Sequence, residues 1–181
     1  SGENGTGKNY IALAINDLIS KKKILEINHT DYISKNIDDI LLNNINYEKF
    51  LESKGIKNKN FDCILFQDID AMSFKTQLLL LNALKKKGNK SDNIFNKKRI
   101  ISTTTKNIKN ILRNNNFSNE LFYELDMYNI FTLPLRERPE DIKQLIKSLI
   151  FDLNTYYNLN RELSLESYIK MSSYMWPGNI K

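Results

Sequence analysis

The chain has 181 residues, 41% hydrophobic and 27% charged. That suits one ordinary domain, or one domain and the start of another, and it excludes general disorder and a short cross-linked scaffold. Three prolines and six glycines exclude collagen-like and linker-like chains, one cysteine excludes an internal disulfide, and no apolar run approaches the length that spans a bilayer. The net charge of +6 comes mostly from lysine. Asn, Ile and Lys are abundant throughout, so the basic balance reads as compositional bias and not as a nucleic-acid footprint. Zinc-finger spacing and an aromatic-basic platform for single strands are both absent. With His29 the only histidine, a multi-histidine metal site and a histidine-based triad are disfavoured. Cys63 sits in an apolar run and reads as a small buried hydrophobe in a reducing compartment. No signal-peptide pattern opens the chain, and a cytoplasmic location is expected.

Residues 2–8, Gly-Glu-Asn-Gly-Thr-Gly-Lys, form a Gly-rich loop. A strand normally precedes such a loop, and only Ser1 does so here. Ile11, Ala14, Ile15, Leu18 and Ile19 then fall at helix spacing, predicting a helix over 8–19. Ile24–Asn28 predicts a short buried strand. Ile33, Ile37, Ile40 and Leu41 mark a second helix, capped near Ser34 or Asn36. Residues 43–60 read as irregular, with room for one helical turn. Phe61–Gln67 is the strongest strand signal, its near-continuous apolar character suiting a parallel strand covered on both faces.

Further on, the pattern predicts a helix over 74–84, a polar loop over 88–96, a strand over 99–104, and helices over 108–112 and 117–125. A strand follows over 128–133. Ile142, Leu145, Ile146, Leu149, Ile150 and Leu153 mark an amphipathic helix over 140–153. A last helix, 164–173, is broken by Trp176-Pro177-Gly178. Alternating strands and helices define an α/β class with a mostly parallel sheet. The pattern turns wholly helical after Leu133, which divides the chain into a core, 1–134, and a helical region, 135–181. His29 reads as a strand-end surface residue. Tyr156, Tyr157, Tyr168 and Tyr174 read as packing for the helical region, and Trp176 as the anchor of its turn.

Gly2, Gly5, Gly7 and Lys8 fit G-x-x-x-x-G-K. Glycines let the backbone turn tightly and present N–H groups, the following helix adds its N-terminal field, and Lys8 reaches the outer phosphates. Where the usual pattern has a Ser or Thr for magnesium, this chain has Asn9. A carboxylate at the end of a second buried strand supports magnesium or polarises water in such proteins. Asp68 or Asp70 is placed for one of these roles, and capping of the next segment is the competing reading for Asp68. Gln67 is neutral and cannot replace a carboxylate.

Taken together, several segments resemble the AAA+ domain of the bacterial sigma-54-dependent enhancer-binding activators of the nitrogen-regulator type. They are 2–8, Leu65-Phe-Gln-Asp-Ile69, Gln77 through Leu84, Arg99-Ile-Ile-Ser-Thr-Thr104, Phe117 to Leu125, Leu135-Arg-Glu-Arg-Pro-Glu-Asp-Ile142 and Trp176-Pro-Gly-Asn-Ile-Lys181. The resemblance spans essentially the whole chain. It implies a P-loop NTPase fold of the AAA+ type, a parallel sheet flanked by helices, its first strand missing, with the start of a helical lid. It implies ATP and Mg2+ as cofactors, with Gly2, Glu3, Asn4, Gly5, Thr6, Gly7, Lys8 and Asn9 holding the triphosphate. Asp68 is the implied metal and catalytic carboxylate, and Thr104 and Thr105 fall at the sensor, Thr105 being assigned the catalytic role. Lys181 stands where the family has a sensor arginine, and Leu135–Arg138 line the junction to the lid, Arg138 beside the nucleotide. Many such family members carry Glu after the loop lysine, so Asn9 is a mild departure.

Other departures go further. Counting back from Gln77, the family's Asp-Glu pair becomes Gln67 and Asp68, which loses the magnesium ligand and shortens the water-polarising one. Two family arginines that reach a neighbouring subunit's phosphate fall at Ser118 and Glu124. The Gly-Ala-Phe-Thr-Gly-Ala loop that contacts the sigma factor is replaced by Asn-Ile-Asn-Tyr-Glu-Lys-Phe at 44–50. The resemblance therefore implies an ATP-binding domain of a transcription regulator, weak in hydrolysis, or else an inactive nucleotide-binding remnant or regulatory subunit. A small-molecule kinase is a poorer reading. The implied partners are nucleotide and self or sister AAA+ subunits in a ring. Contact with the sigma-54 polymerase is not expected, nor is DNA contact or a membrane. The chain is expected to be an incomplete piece or truncated gene product, cut inside the lid, that folds poorly in isolation.

Overall fold

Four consecutive residues of one strand, Cys63, Ile64, Leu65 and Phe66, are buried to 0% exposure. Neighbouring side chains on a strand point to opposite faces, so this strand is covered on both sides, as the middle of a parallel sheet must be. The computed structural model describes residues 1–20, 22–34, 36–42, 47–57, 60–86, 94–95, 97–107, 110 and 116–181, with the side chains of Asn36 and Tyr47 left aside. The loop expected over 88–96 and the helix expected over 108–112 lie almost wholly outside these residues.

The described elements are α1 (Lys8–Ile19), β1 (Lys23–Ile27), α2 (His29–Ile33), α3 (Asn36–Leu41), α4 (Tyr47–Ser53), β2 (Phe61–Phe66), α5 (Phe74–Lys85), β3 (Arg99–Ser102), α6 (Asn119–Leu125), α7 (Pro139–Tyr157) and α8 (Leu165–Ser173). Short 3-10 turns cover Ile69–Ala71 and Leu135–Glu137. The three strands pair in parallel in the order β1-β2-β3, with Ile27 opposite Phe66 and Phe66 opposite Ser102. Parallel pairing aligns the C-terminal ends of the strands, and those ends carry Gln67, Asp68 and Thr103.

By its contacts the chain divides into two compact units, Ser1 with Lys8–Ile130, and Gly2–Gly7 with Phe131–Lys181. In the first, Leu25, Ile27, Ile64, Phe66, Leu80, Leu84 and Leu121 belong to one buried apolar cluster. Each fully buried aliphatic or aromatic side chain of this kind contributes about 1.5–3 kcal/mol. The second unit has its own small core, in which Leu135, Ile142 and Ile146 pack with Leu145, Ile150, Leu163, Tyr168 and Trp176. The fold is thus α/β, a parallel sheet flanked by helices, with a helical region of the kind expected for a lid.

Local chemistry explains where the elements depart from the sequence expectations. The helix expected to be capped near Ser34 or Asn36 is α3, and a further short helix, α2, precedes it and takes Ile33. Asn28 starts α2 with a capping box: its side chain accepts from the helix backbone while its own N–H donates to Asp31 at 2.8 Å. His29 is therefore the exposed first residue of a helix. Residues 47–53, in a stretch expected to be irregular with room for one helical turn, form the seven-residue helix α4, which buries Phe50 and Leu51. The apolar face read for α1 does not match its burial: Leu18 and Ile19 are exposed, and Ala12 and Asn16 turn inward. Asn16 Nδ2 donates to the Lys22 carbonyl at 3.0 Å, tying the helix end to the approach to β1.

No strand forms over 128–133; Thr132 makes only an isolated parallel bridge with Gly2. Backbone groups need a neighbouring ladder to become a strand, and one bridge does not supply it. Tyr156 and Tyr157, expected to pack, are exposed and stack edge-to-face on each other. Trp176 does anchor its turn: its ring N–H donates to the Met171 carbonyl at 2.8 Å.

Candidate functional site

Candidate residues lie in both units. At the strand ends, the chain leaves β2 through Gln67 and Asp68. Asp68 is left-handed (φ 47, ψ 56), a conformation that Asp tolerates better than most residues because of its short polar side chain. The turn is fixed by Thr103, which is 4% exposed. Its Oγ1 accepts from the Asp68 N–H at 3.1 Å and donates to Asn9 Oδ1 at 3.3 Å. Its carbonyl accepts from the Ile69 N–H at 2.9 Å. Asn9, in the first turn of α1, is thereby linked through Thr103 to the turn bearing Asp68.

Next to it, Thr104 donates to Asp70 Oδ1 at 2.7 Å, and Lys106 lies 3.2 Å from Asp70 Oδ2. Asp70 is thus occupied by a hydroxyl and a cation. The Asp68 carboxylate accepts no hydrogen bond among the described residues. Gln67 donates from Nε2 to Glu26 Oε2 at 2.6 Å, so its amide is committed to a neighbouring strand. Lys8 is held below its ordinary pKa by burial, and the charges of Asp68 and Asp70 pull the other way. Tyr32 donates to the Gln67 carbonyl at 2.8 Å. Burial, with the nearby charges of Asp68, Asp31 and Asp70, pushes its phenol well up and keeps it protonated.

Within the second unit, residues 2–7 form a tight loop. Gly5 (φ 77) is required on two counts: its backbone is left-handed, and a Cβ there would collide with the Gly178 carbonyl oxygen. Gly7 (φ 93) faces open space, with nothing within 4 Å of where a Cβ would stand. Among the described residues the N–H groups of Gly5, Thr6 and Gly7 have no protein acceptor. Three consecutive backbone donors without an acceptor are the kind of group that receives an anion.

Glu3 points away from that role, taking both arms of Arg136 at 2.9 and 2.5 Å. The hydrogen bonds from Arg136 and then Asn179 hold its carboxyl down to about 2. Arg138 donates to the Thr6 carbonyl at 3.4 Å and pairs with Asp141 at 3.1 Å. The Lys181 Cβ lies 3.1 Å from where a Gly5 Cβ would stand.

The structure therefore gathers Gly2, Glu3, Asn4, Gly5, Thr6, Gly7, Arg138 and Lys181 in one unit, and Lys8, Asn9 and Asp68 in the other; Gly7 and Lys8 are joined by their peptide bond. Thr105 is half-buried, and its side chain makes no hydrogen bond among the described residues. Thr103 is the residue that sequence reasoning missed; its signal was its place at the end of a parallel strand, where α/β proteins put their ligands. Ser118 caps α6, accepting from the Leu121 N–H at 3.3 Å, and its own N–H donates to Gln77 Oε1 at 2.8 Å. Glu124 lies exposed on that helix. No group of three or more His, Cys, Asp or Glu able to hold a metal occurs among the described residues. No helix among them is long and apolar enough to cross a membrane.

A parallel sheet with a Gly-rich loop and lysine at a helix start, and a carboxylate at a strand end, defines a P-loop protein of the AAA+ type. The comparisons are specific: residues 1–131 match the family described as the sigma-54 interaction domain, and 136–181 match the AAA+ ATPase lid domain. The chain belongs to the sigma-54 interaction domain family. It is 31% identical over 195 residues to a signal-transduction and transcriptional-control protein of Clostridium beijerinckii, covering 99% of this chain and 30% of that protein. It is 28% identical over 196 residues to the formate hydrogenlyase transcriptional activator of Salmonella typhimurium strain LT2, covering 99% and 28%. The chain thus spans less than a third of these relatives. Among solved structures, NtrX from Brucella abortus in complex with ATP matches with a TM-score of 0.76 at 19% identity, over 99% of this chain and 43% of that one. The replication initiator DnaA bound to AMPPCP and single-stranded DNA matches with a TM-score of 0.58 at 19% identity, over 94% and 48%. These structural likenesses concern the fold.

Proposed function

We propose that this chain is the ATP-binding AAA+ domain of a cytoplasmic transcription regulator, impaired in hydrolysis. The observation that carries the reading is the run of unsatisfied N–H groups at Gly5, Thr6 and Gly7 leading directly into Lys8, whose charge is coupled to Asp68 and Asp70. NtrX, described with ATP and with ADP, supports the choice of nucleotide. Backbone donors, the N-terminus of α1 and Lys8 would hold the phosphates, with Arg138 and Lys181 as further cations. Mg2+ would rest on Asp68. A single carboxylate leaves most of the ion's ligands to water and phosphate, so the metal adds little affinity of its own.

Hydrolysis is weakened at three places. Gln67 offers an amide where a carboxylate is wanted, and that amide is bound to Glu26. Ser118 is used as a helix cap. Glu124 brings negative charge where a cation would neutralise the transferring phosphoryl group, a loss of about 10³- to 10⁵-fold in rate. Assembly with copies of itself or an active sister subunit is part of this reading; direct contact with the sigma factor is not. In the segment standing where the contact loop would be, Phe50 is buried in the core and unavailable to a partner.

The test is calorimetric titration with ATP and Mg2+, followed by phosphate release. Binding without turnover is expected. Glu124→Arg together with Gln67→Asp should raise turnover at least about tenfold. The second change needs Glu26→Gln beside it, because Asp at 67 would face the Glu26 carboxylate. No heat of binding, or an unmodified rate already equal to that of the restored variant, rejects the proposal.

A further inference from the structure

Asn179 is polar, 4% exposed and left-handed (φ 57). Its side chain ties three segments of the second unit together. Oδ1 accepts from the Leu135 N–H at 2.7 Å, and Nδ2 donates to the Asn4 carbonyl at 2.7 Å and to Glu3 Oε2 at 3.3 Å. The next carbonyls along the loop are taken as well. The Ile180 N–H donates to Gly5 O at 3.1 Å, and Arg138 Nη2 donates to Thr6 O at 3.4 Å. Thr6 Oγ1 also shares a hydrogen bond with Thr132 Oγ1 at 2.7 Å.

In a planar trans peptide the C=O and the following N–H point in opposite directions. Holding the carbonyls of Asn4, Gly5 and Thr6 therefore aims the N–H groups of Gly5, Thr6 and Gly7 away from these partners. Those three are the donors left without an acceptor. Arg136 adds an electrostatic part. An unpaired Glu3 carboxylate inside the loop would repel a triphosphate, and the two-pronged guanidinium pair cancels that charge.

We propose that Asn179 and Arg136 are positioning residues for nucleotide binding. They set the phosphate loop into its anion-accepting shape before nucleotide arrives, through the loop carbonyls and Glu3. Neither touches the phosphates in this scheme. The proposal rests on the nucleotide reading above, and its test separates the two. Hydrogen–deuterium exchange of residues 4–8 is measured without nucleotide, and affinity is measured with a fluorescent ATP analogue.

Asn179→Ala and Arg136→Gln should each speed exchange in the loop and weaken affinity about tenfold, with the far-UV circular dichroism unchanged. Arg136→Lys, which keeps the charge and loses the fork, should fall between Arg136→Gln and the unmodified protein. Removing the orphaned carboxylate by adding Glu3→Gln to Arg136→Gln should recover part of the affinity. Unchanged exchange and affinity in Arg136→Gln overturn the proposal, as does an affinity loss that appears only with loss of the dichroism signal. Should Asn179→Ala not fold, Arg136, partly exposed, decides the matter alone. If the unmodified protein binds no nucleotide, the nucleotide reading falls, and the exchange of residues 4–8 still decides whether the loop is held.

Discussion

Glu3 shows how one residue's surroundings turn a liability into support. A carboxylate in a phosphate loop has the wrong sign for the ligand, yet two arms of Arg136 and the Asn179 amide hold it ionised down to about pH 2, against an ordinary 4.5. A depressed carboxylate contributes stability that is fully present above its unfolded value and is lost as the pH falls toward its folded one. Urea unfolding followed between pH 4.5 and pH 2 should therefore show stability declining with acid. Glu3→Gln should flatten that decline and leave the protein weaker at neutral pH; equal slopes in the two proteins would contradict the assignment. At the other part of the site, Asp68 keeps a carboxylate in a left-handed turn that Thr103 holds from two sides. Its backbone has a definite mechanical support.

At the scale of elements, α6 rests on a polar cap at its first turn. Ser118 begins the helix with its side chain on the Leu121 N–H and its backbone on Gln77, whose amide in turn reaches the Met72 and Asn116 carbonyls. Losing such a cap costs about 1 kcal/mol. Ser118→Ala should lower the urea midpoint accordingly. Ser118→Arg should do the same, whereas Glu124→Arg on the exposed face should leave the midpoint within experimental scatter. A neutral Ser118→Ala would show that the cap is not felt. For this reason Glu124 is the position at which an arginine can be introduced with less cost to the fold.

For the molecule as a whole, a ligand that binds only the folded state raises stability by mass action, by about 2.7 kcal/mol at a hundredfold excess over its dissociation constant. Thermal unfolding with and without Mg-ATP should show that rise, and Lys8→Ala should abolish most of it while leaving the ligand-free transition nearly unchanged. A shift of equal size in Lys8→Ala would mean that nucleotide binds elsewhere.

Local pattern was enough for much of this protein. Near-continuous apolar character made Phe61–Gln67 legible as a strand covered on both faces, period and length made α1, α5 and α7 legible, and glycine spacing made the phosphate loop legible, because each rests on neighbours in the chain. Only the tertiary structure decided the rest. It joined Glu3 to Arg136 and Asn179, set Thr103 between Asn9 and Asp68, withheld a ladder from residues 128–133, and turned Ala12 and Asn16 inward in place of Leu18 and Ile19. These are contacts between residues far apart in sequence or choices among faces. Their energies depend on which partner the folded chain supplies, and no local period encodes that.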